Sequence, residues 1–361
     1  MEIKTTAISA NRLTARENVQ FLQEGDIIVP DNKPDIEKIL RTSGNVVIDS
    51  TNIADGRLNY RGHIALDCLY LSKGENKKLH TMSKDIEIND FIAISGIEEN
   101  MSPKLKCTIE NIDTGILNER KINYKISGNA FADVNEVVEI NAVSSIDDLS
   151  ENQQKMTTIK TTKNICSKIE KINIKEDVVI PPTKLPIDEI ISIEPTLLNT
   201  EAVPSQDSVK ISGDITASML YTSNESSVPE VFDIDIPFDG MIETEDVEPN
   251  MEINTDLTIT DFYYDVSEDE NGENRIVNLE FVINACIEAY ATQESEILED
   301  AYSVNNNITM ENETLCYDRE VCRNKSQCPV KDIVSIDSDC PAMLQIIKAV
   351  GTPYIDVISI F

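Results

Sequence analysis

The residues best suited to chemistry in this sequence are four cysteines near its C-terminal end. Cys316, Cys322 and Cys328 lie six residues apart, and Cys340 follows twelve residues later. Zinc sites usually use cysteine pairs two to four residues apart, so this spacing disfavours a metal centre. In an extended strand the sulfurs would be about 20 Å apart, which excludes a disulfide unless the chain folds back or a second chain contributes. Inert thiols and cross-links both remain open.

The other four cysteines are scattered through the chain. Cys68 and Cys286 lie in runs that alternate between apolar and polar residues, and Cys107 and Cys166 stand alone. Isolated thiols of this kind usually act as small buried hydrophobes. We therefore predict that all four are buried and unreactive.

Acid–base catalysis has little support. The chain has only two histidines: His63, predicted on the polar face of a strand, and His80, in a stretch that resembles a loop. Nucleophile elbows, phosphate-binding loops and zinc-protease motifs are absent from the sequence. The acidic run at residues 267–273 lacks the ligand spacing of a calcium loop and fits a charged hairpin tip. We predict no catalytic residues, no cofactor and no metal, and hence no enzyme.

The composition limits the possible partners. The chain has 361 residues, 65 of them acidic and 31 basic, and a formal net charge of −34. Nucleic acids and anionic membranes would repel such a surface, whereas basic proteins or cations would not. No stretch approaches the roughly 20 apolar residues of a membrane span, and the N-terminus lacks a secretory signal. We expect synthesis and retention in the cytoplasm of the producing cell.

The sequence contains two full copies and one partial copy of the same repeat. "KPDIEKIL" at residues 33–40 returns as "LPIDEII" at 185–191 and as "CPAMLQII" at 340–347. "GHIALDCLY" at 62–70 and "GDITASMLY" at 213–221 share a second motif, and the third copy ends before reaching its own. Aligning the prolines of the first motif gives steps of 152 and 155 residues. Periods of this length indicate duplicated domains rather than solenoid repeats.

The elements that would position these residues are mostly strands. Apolar and polar residues alternate along residues 58–70 and, with the same parity, along 209–221, which indicates the same sheet in both copies. Pro34, Asp35 and Glu37 favour a short helix at the first motif. The predicted fold is mostly β: tandem antiparallel β-sandwich-like modules, each with a short helix at the Pro-Asp-Ile-type motif. Polar stretches at about 139–177 and 295–331 are predicted to be connections.

These patterns predict four regions: an N-terminal segment at 1–23, modules at 24–165 and 166–330, and an incomplete third repeat at 331–361. The last region cannot bury its apolar side alone, so it is a candidate for adding a strand to a neighbouring copy. The residues of this candidate strand are Pro353, Tyr354, Ile355, Val357, Ile358, Ile360 and Phe361. Packing on the second module, or truncation of a longer chain, would also explain the fragment.

Three ordered motifs carry a family resemblance. "VPDNKPDIEKIL" at 29–40, "GHIALDCLY" at 62–70 and "LNERKI" at 117–122 together resemble the SPOCS domain. This domain occurs in spore-coat-associated proteins of endospore-forming bacteria, among them the SpoIVA-interacting proteins of clostridia. The second copy is more divergent and lacks "NERKI". Related proteins often end in a glycan-binding LysM module, which this chain does not show.

The resemblance implies a non-enzymatic role in assembling the endospore coat through contacts with other coat proteins. It also implies synthesis in the mother-cell cytoplasm and later residence on the spore surface, where mother-cell lysis would permit cross-links through the four clustered cysteines. The alternatives are a self-assembling filament or sheet subunit and a truncated fragment of a longer coat adaptor. Other coat proteins, and a second copy of the chain, are the expected partners; nucleic acid binding and membrane insertion are not expected.

Overall fold

The computed structural model describes residues 2–74, 77–147, 149, 153–305, 307–311, 314, 316–317, 329–336, 343, 346–347, 349 and 351. Across these residues the chain forms twelve strands and no α-helix. The strands of the first module are β1 Ile3–Ile28, β2 Ile36–Ala54, β3 Arg57–Ser72, β4 Leu79–Ala93, β5 Ser102–Asn118 and β6 Lys121–Ile146. Those of the second are β7 Gln154–Val179, β8 Glu189–Ser205, β9 Ser208–Ser223, β10 Ser226–Glu243, β11 Glu252–Glu268 and β12 Asn274–Ala301.

Each module consists of two three-stranded antiparallel sheets around one core. In the first module the sheet orders are β1-β6-β5 and β2-β3-β4, and in the second they are β11-β12-β7 and β10-β9-β8. Alternate residues of the central strands β3 and β6 face inward, and Leu58, Ile64 and Ile126 are fully buried there. A single apolar cluster in each module draws side chains from both of its sheets. The predicted mostly β class and its antiparallel sheets are confirmed.

The two modules correspond at an offset of 151 residues over their first halves. Val29 and Ile180 each donate their backbone N–H to a carbonyl directly before or at the start of the last strand, and Ile36 and Ile187 donate to the carbonyl one residue earlier. Pro34 therefore corresponds to Leu185 and not to Pro186. The alignment on prolines is wrong by one residue, because the backbone hydrogen bonds rather than the proline fix this loop.

The helix predicted at the Pro-Asp-Ile-type motif is wrong. Residues 31–33 form a turn, and Ile36 already begins β2. The N–H of Ile36 bonds to the Glu119 carbonyl at 2.8 Å, and that of Lys73 bonds to the Asp35 carbonyl at 2.8 Å. These groups are paired with neighbouring segments, so they are not available for a helical ladder.

The polar stretch predicted to connect the modules is mostly strand. β6 continues to Ile146 and β7 begins at Gln154, so only residues 147–153 separate them. The lysines of β7 face glutamates of β12 directly, as in the pairs Lys160–Glu294 and Lys175–Glu280. Cross-strand pairs of opposite charge stabilise such a ladder without apolar side chains. No helix of the described residues is long and apolar enough to span a membrane.

Candidate interaction sites: clamped loops and the contact between modules

The first candidate site is the loop that carries the first repeated motif. Residues 29–36, here called the first anchor loop, lead from β1 in one sheet to β2 in the other. The N–H of Val29 bonds to the Arg120 carbonyl at 2.9 Å, and that of Lys33 to the Pro30 carbonyl at 2.9 Å. The chain thus crosses between sheets while its backbone stays tied to the start of β6.

The Arg120 side chain holds this loop by its carbonyl groups. Its guanidinium donates to the carbonyl oxygens of Pro30 at 2.9 Å and Val29 at 3.1 Å. It also donates to the Lys33 carbonyl at 3.2 Å and to the Asp35 carboxylate at 2.8 Å. The planar, multiply donating guanidinium suits several acceptors on one curved segment, which an ammonium group would not satisfy.

A tyrosine closes the other end of the loop. The Tyr70 hydroxyl, from the last residue of the second repeated motif, donates to the Pro34 carbonyl at 3.0 Å. Burial raises the pKa of Tyr70 to about 12, so its hydroxyl keeps its proton at any physiological pH. Arg120 and Tyr70 form what we call the Arg–Tyr clamp.

The second module repeats the clamp. In its anchor loop, residues 180–187, Arg275 donates to the carbonyls of Lys184 at 2.8 Å and Pro181 at 3.2 Å. The Tyr221 hydroxyl donates to the Leu185 carbonyl at 3.0 Å. The second copy has no complete "NERKI" motif, but the arginine at the centre of that motif does have a counterpart in it. Arg275, in "ENRI", takes the place of Arg120, and its position at the start of the last strand was the signal that could have identified it.

The second candidate site is the contact between the modules, where Glu189 of β8 reaches the first anchor loop. Its carboxylate lies 2.6 Å from Lys33 Nζ and 2.8 Å from His80 Nδ1. His80, predicted in a loop, is in fact in β4. Lys78 with Asp188 at 3.3 Å and Arg41 with Glu194 at 2.7 Å extend this contact. In all of these pairs the first module supplies the basic partner and the second the acid.

The equivalent position in the second module is satisfied internally. Lys184 corresponds to Lys33, and its ammonium lies 3.0 Å from Glu230 of β10. Glu230 pairs with Tyr221 across the sheet as His80 pairs with Tyr70, so His80 and Glu230 are equivalent. Where the second module has its own carboxylate, the first has a histidine and receives the carboxylate of Glu189 from its neighbour.

A second polar contact lies around Glu288, a β12 residue only 7% exposed. Its carboxylate accepts from Lys104 of the first module at 2.6 Å, from Tyr290 at 2.9 Å and from Asn254 at 3.2 Å. Desolvation lowers the pKa of Lys104, but the hydrogen bond and charge of Glu288 outweigh it, and the net pKa is raised. Three donors thus compensate one buried charge, as buried ion pairs require.

The contacting strands are equivalent ones. β1 contacts β7, β6 contacts β12, and the crossed contacts of β1 with β12 and β6 with β7 are both present. Reciprocal contacts of this kind are the mark of a twofold relation, in which the same patch is used on both sides. Lys104 and Asn254 occupy equivalent positions in β5 and β11, and both donate a hydrogen bond to Glu288. The four strands β1, β6, β7 and β12 therefore meet in an approximately twofold arrangement.

The structure describes the four scattered cysteines but only some of the residues predicted as interaction sites. Cys68 is fully buried, and Cys107, Cys166 and Cys286 are half-buried; all four are free thiols. Burial raises the pKa of Cys68 and of Cys107 to about 11. Cys316 is exposed and free, whereas the other predicted cross-linking cysteines lie outside the described residues. So do the residues of the predicted strand-addition segment, 353–361. Within the part of the chain described, no three His, Cys, Asp or Glu side chains are grouped to hold a metal ion.

Comparison with known proteins agrees with the structural correspondence. A family model described as the SipL SPOCS domain matches residues 35–117 and again residues 186–267. The chain carries two SPOCS domains. The two matches start 151 residues apart, which is the offset that the backbone hydrogen bonds give. No curated protein and no solved structure matches the chain.

The SPOCS matches cover only part of each folded module. They begin inside an anchor loop and end before the last strand, so β1 and β6, or β7 and β12, lie outside them. Those strands complete the second sheet of each module; Arg275 lies in β12, and Arg120 directly precedes β6. The SPOCS domain therefore folds with residues on both sides of its matched range.

Proposed function

We propose that this protein is a non-enzymatic assembly protein of the bacterial endospore coat, acting through protein–protein contacts of its two SPOCS domains. The SPOCS family suggests a spore-coat protein, and the observation that carries the proposal is the paired Arg–Tyr clamp. It holds the family's first motif in one shape in both domains by hydrogen bonds to carbonyl groups, which leaves the loop's exposed side chains available for contacts.

The anchor loops are the proposed contact points with other coat proteins. Asp31 is fully exposed at the tip of the first loop, and Pro30 beside it is exposed as well. A loop fixed at several backbone positions loses little conformational entropy when it binds, which favours recognition. The partners are proposed to be coat proteins met in the mother-cell cytoplasm, before the protein becomes part of the spore surface.

Localisation in a sporulating cell tests this function. A fluorescent fusion expressed in an endospore-forming host that encodes the protein is expected to gather around the developing spore. The double variant Arg120→Ala/Arg275→Ala is expected to lose this location while remaining in the cell. A fusion that stays evenly distributed in the mother cell throughout sporulation would refute a coat role.

A self-assembling subunit is the second candidate, and the observation that favours it is a complementary pair of sheet faces, described in the next subsection. The predicted strand addition by residues 353–361 and the predicted cross-links through Cys316, Cys322, Cys328 and Cys340 would both act between copies. Non-reducing electrophoresis of coat extracts tests the cross-links. We expect species of more than one chain that disappear on reduction and in the variant with serine at all four positions.

A further inference from the structure

The outer face of the β2-β3-β4 sheet carries two arginines without a carboxylate partner. Arg57 and Arg61 of β3 alternate with the buried Leu58 and Tyr60, so they point away from the core. Both are exposed, and neither forms an ion pair with any described residue. The other four arginines of the first domain, Arg12, Arg16, Arg41 and Arg120, are all paired with carboxylates.

An exposed aromatic ring completes this surface. The Arg57 guanidinium lies over the ring of Phe91 at 4.4 Å from its centroid, and Phe91 is 45% exposed. Phe91 belongs to β4 and pairs with Asn59, between the two arginines. We call Arg57, Arg61 and Phe91 the arginine face. Arginine and aromatic residues are enriched at the centres of protein interfaces.

The equivalent sheet of the second domain lacks these arginines and is more acidic. Ser208 and Ser212 of β9 stand where the first domain has Arg57 and Arg61. Its edge strand β10 presents four exposed acids, and none of them forms an ion pair within the described part of the chain: Asp233, Asp235, Asp239 and Glu243. We call these four residues the acidic face.

The whole domains differ in the same direction. Residues 3–146 contain 17 Lys and Arg against 21 Asp and Glu, a net charge of −4, whereas residues 154–301 contain 9 against 32, a net charge of −23. Since the arginine face lies on the nearly neutral domain, a strongly acidic domain is a fitting partner for it. The second domain of another copy of the chain is such a domain.

The spacing of the charges also matches. Four residues along a strand correspond to about 13 Å, at roughly 3.3 Å per residue. This is the separation of Arg57 from Arg61 along β3, and equally that of Asp235 from Asp239 along β10. Asp239 and Glu243 are also four residues apart, and exposed Met241 lies between them as Phe91 lies between the two arginines, so it offers an apolar contact for the Phe91 ring. Both surfaces are faces of three-stranded sheets, which stack at about 10 Å.

We propose that the arginine face of one copy docks on the acidic face of a second copy. The partners are different surfaces, so each copy keeps one face of each kind free, and the contact can repeat from copy to copy. This inference rests on the proposed role in coat assembly, to which it adds a partner and a surface. The contact between the two domains within the chain uses other residues of the β2-β3-β4 sheet, among them Arg41 and His80, and stays intact.

Charge reversal in the full-length chain tests the proposal. In sedimentation velocity at low salt, the wild type is expected to form larger species as its concentration rises, and high salt should reverse this. Arg57→Glu/Arg61→Glu and Asp235→Arg/Asp239→Arg are each expected to sediment as monomers, at least about tenfold weaker in association. An equimolar mixture of the two variants is expected to associate again, because the intact arginine face of one variant meets the intact acidic face of the other, and the two reversed faces also carry opposite charges.

The matched control is Lys38→Glu/Lys106→Glu. It makes the same change in net charge at two exposed or half-exposed lysines outside the arginine face, and it is expected to associate like the wild type. Circular dichroism of every variant establishes that it is folded. A wild type that stays monomeric at low salt, or a mixture that fails to associate, would overturn the proposal. If the fusion protein still reaches the spore surface in that case, the coat function stands and only the self-docking fails.

Discussion

The two SPOCS domains hold their anchor loops in the same way but neutralise the loop lysine differently. In the second domain Lys184 forms an ion pair with Glu230 of the same domain, so the charge of its loop lysine is neutralised internally. In the first, His80 occupies the position of Glu230, and Lys33 relies on Glu189 of the other domain. The comparison teaches that the same frame can neutralise its loop lysine either within one domain or through the contact between domains.

The largest expected effect comes from removing the arginine of a clamp. The Arg275 side chain is 10% exposed and that of Arg120 is 37% exposed. We expect Arg275→Ala to lower the free energy of unfolding by about 3 kcal/mol and Arg120→Ala by about 2 kcal/mol, because the loop carbonyls lose charged donors. Urea unfolding followed by circular dichroism measures both.

Lysine at the same positions is the control for charge alone. It is expected to recover little of the loss, since it lacks the forked geometry that several carbonyls require. Full recovery by lysine would mean that the clamp acts through charge and not through its hydrogen bonds.

A smaller difference is expected at the glycine of the second motif. A Cβ on Gly62 would lie 2.1 Å from the Val47 carbonyl oxygen, whereas on Gly213 the nearest atom would be a ring carbon of Phe238 at 2.9 Å. A backbone atom cannot move aside as a ring can, so Gly62→Ala should cost about 2 kcal/mol and Gly213→Ala about 1 kcal/mol. Equal unfolding free energies for the two variants would contradict this order.

Replacing Glu189 with glutamine tests whether its carboxylate stabilises the first anchor loop. Glu189→Gln should cost about 1 kcal/mol, because the ion pairs it removes are partly exposed. It should also speed hydrogen exchange in the first anchor loop, which belongs to the other domain. Glu230→Gln serves as the matched variant, and its effect on exchange should remain within the second domain. Faster exchange in both domains for both variants would show that the loops are not neutralised separately.

The smallest effect concerns alkaline pH. Burial, followed by the charge of Asp90, raises the pKa of Tyr60 from 10.0 to about 12, and the equivalent residue of the second domain is Ile211. The neutral phenol is favoured in the fold, so its stabilisation is complete below pH 10 and is lost as the pH rises towards 12. Tyr60→Phe should reduce the alkaline loss by about 0.4 kcal/mol at pH 10, with a growing difference above it. Urea unfolding across this pH range measures the change, and parallel curves for variant and wild type would contradict it.

The sequence was most informative where one face of a strand is buried. Alternation along β3 and β9 predicted their inward residues, and the repeated motifs predicted the SPOCS resemblance that the family match confirms. It failed at the first motif, where Pro34 and two acids suggested a helix. What decides that conformation is Arg120, which lies more than eighty residues away in the chain and therefore leaves no local pattern.

Charged strands were the second failure. β7 is polar and lysine-rich, so its sequence predicts a connection, because its partners, such as Glu280 and Glu294 of β12, are far away in the chain. The interdomain contact was not predictable for the same reason. Glu189 is one of 65 acidic residues, and nothing in its neighbourhood distinguishes it from the others.

The contact between equivalent strands of the two domains has a consequence for stoichiometry. Each domain occupies the pairing surface of the other, and both are joined through a linker of only a few residues, so this pairing depends on neither the amount of protein nor the presence of another chain. Assembly that begins at a threshold concentration must then be controlled elsewhere on the surface. In a pair of identical subunits, one substitution changes both sides of the contact. In this chain the two sides are encoded separately, so a substitution changes only one of them. Each side can therefore carry its own charge.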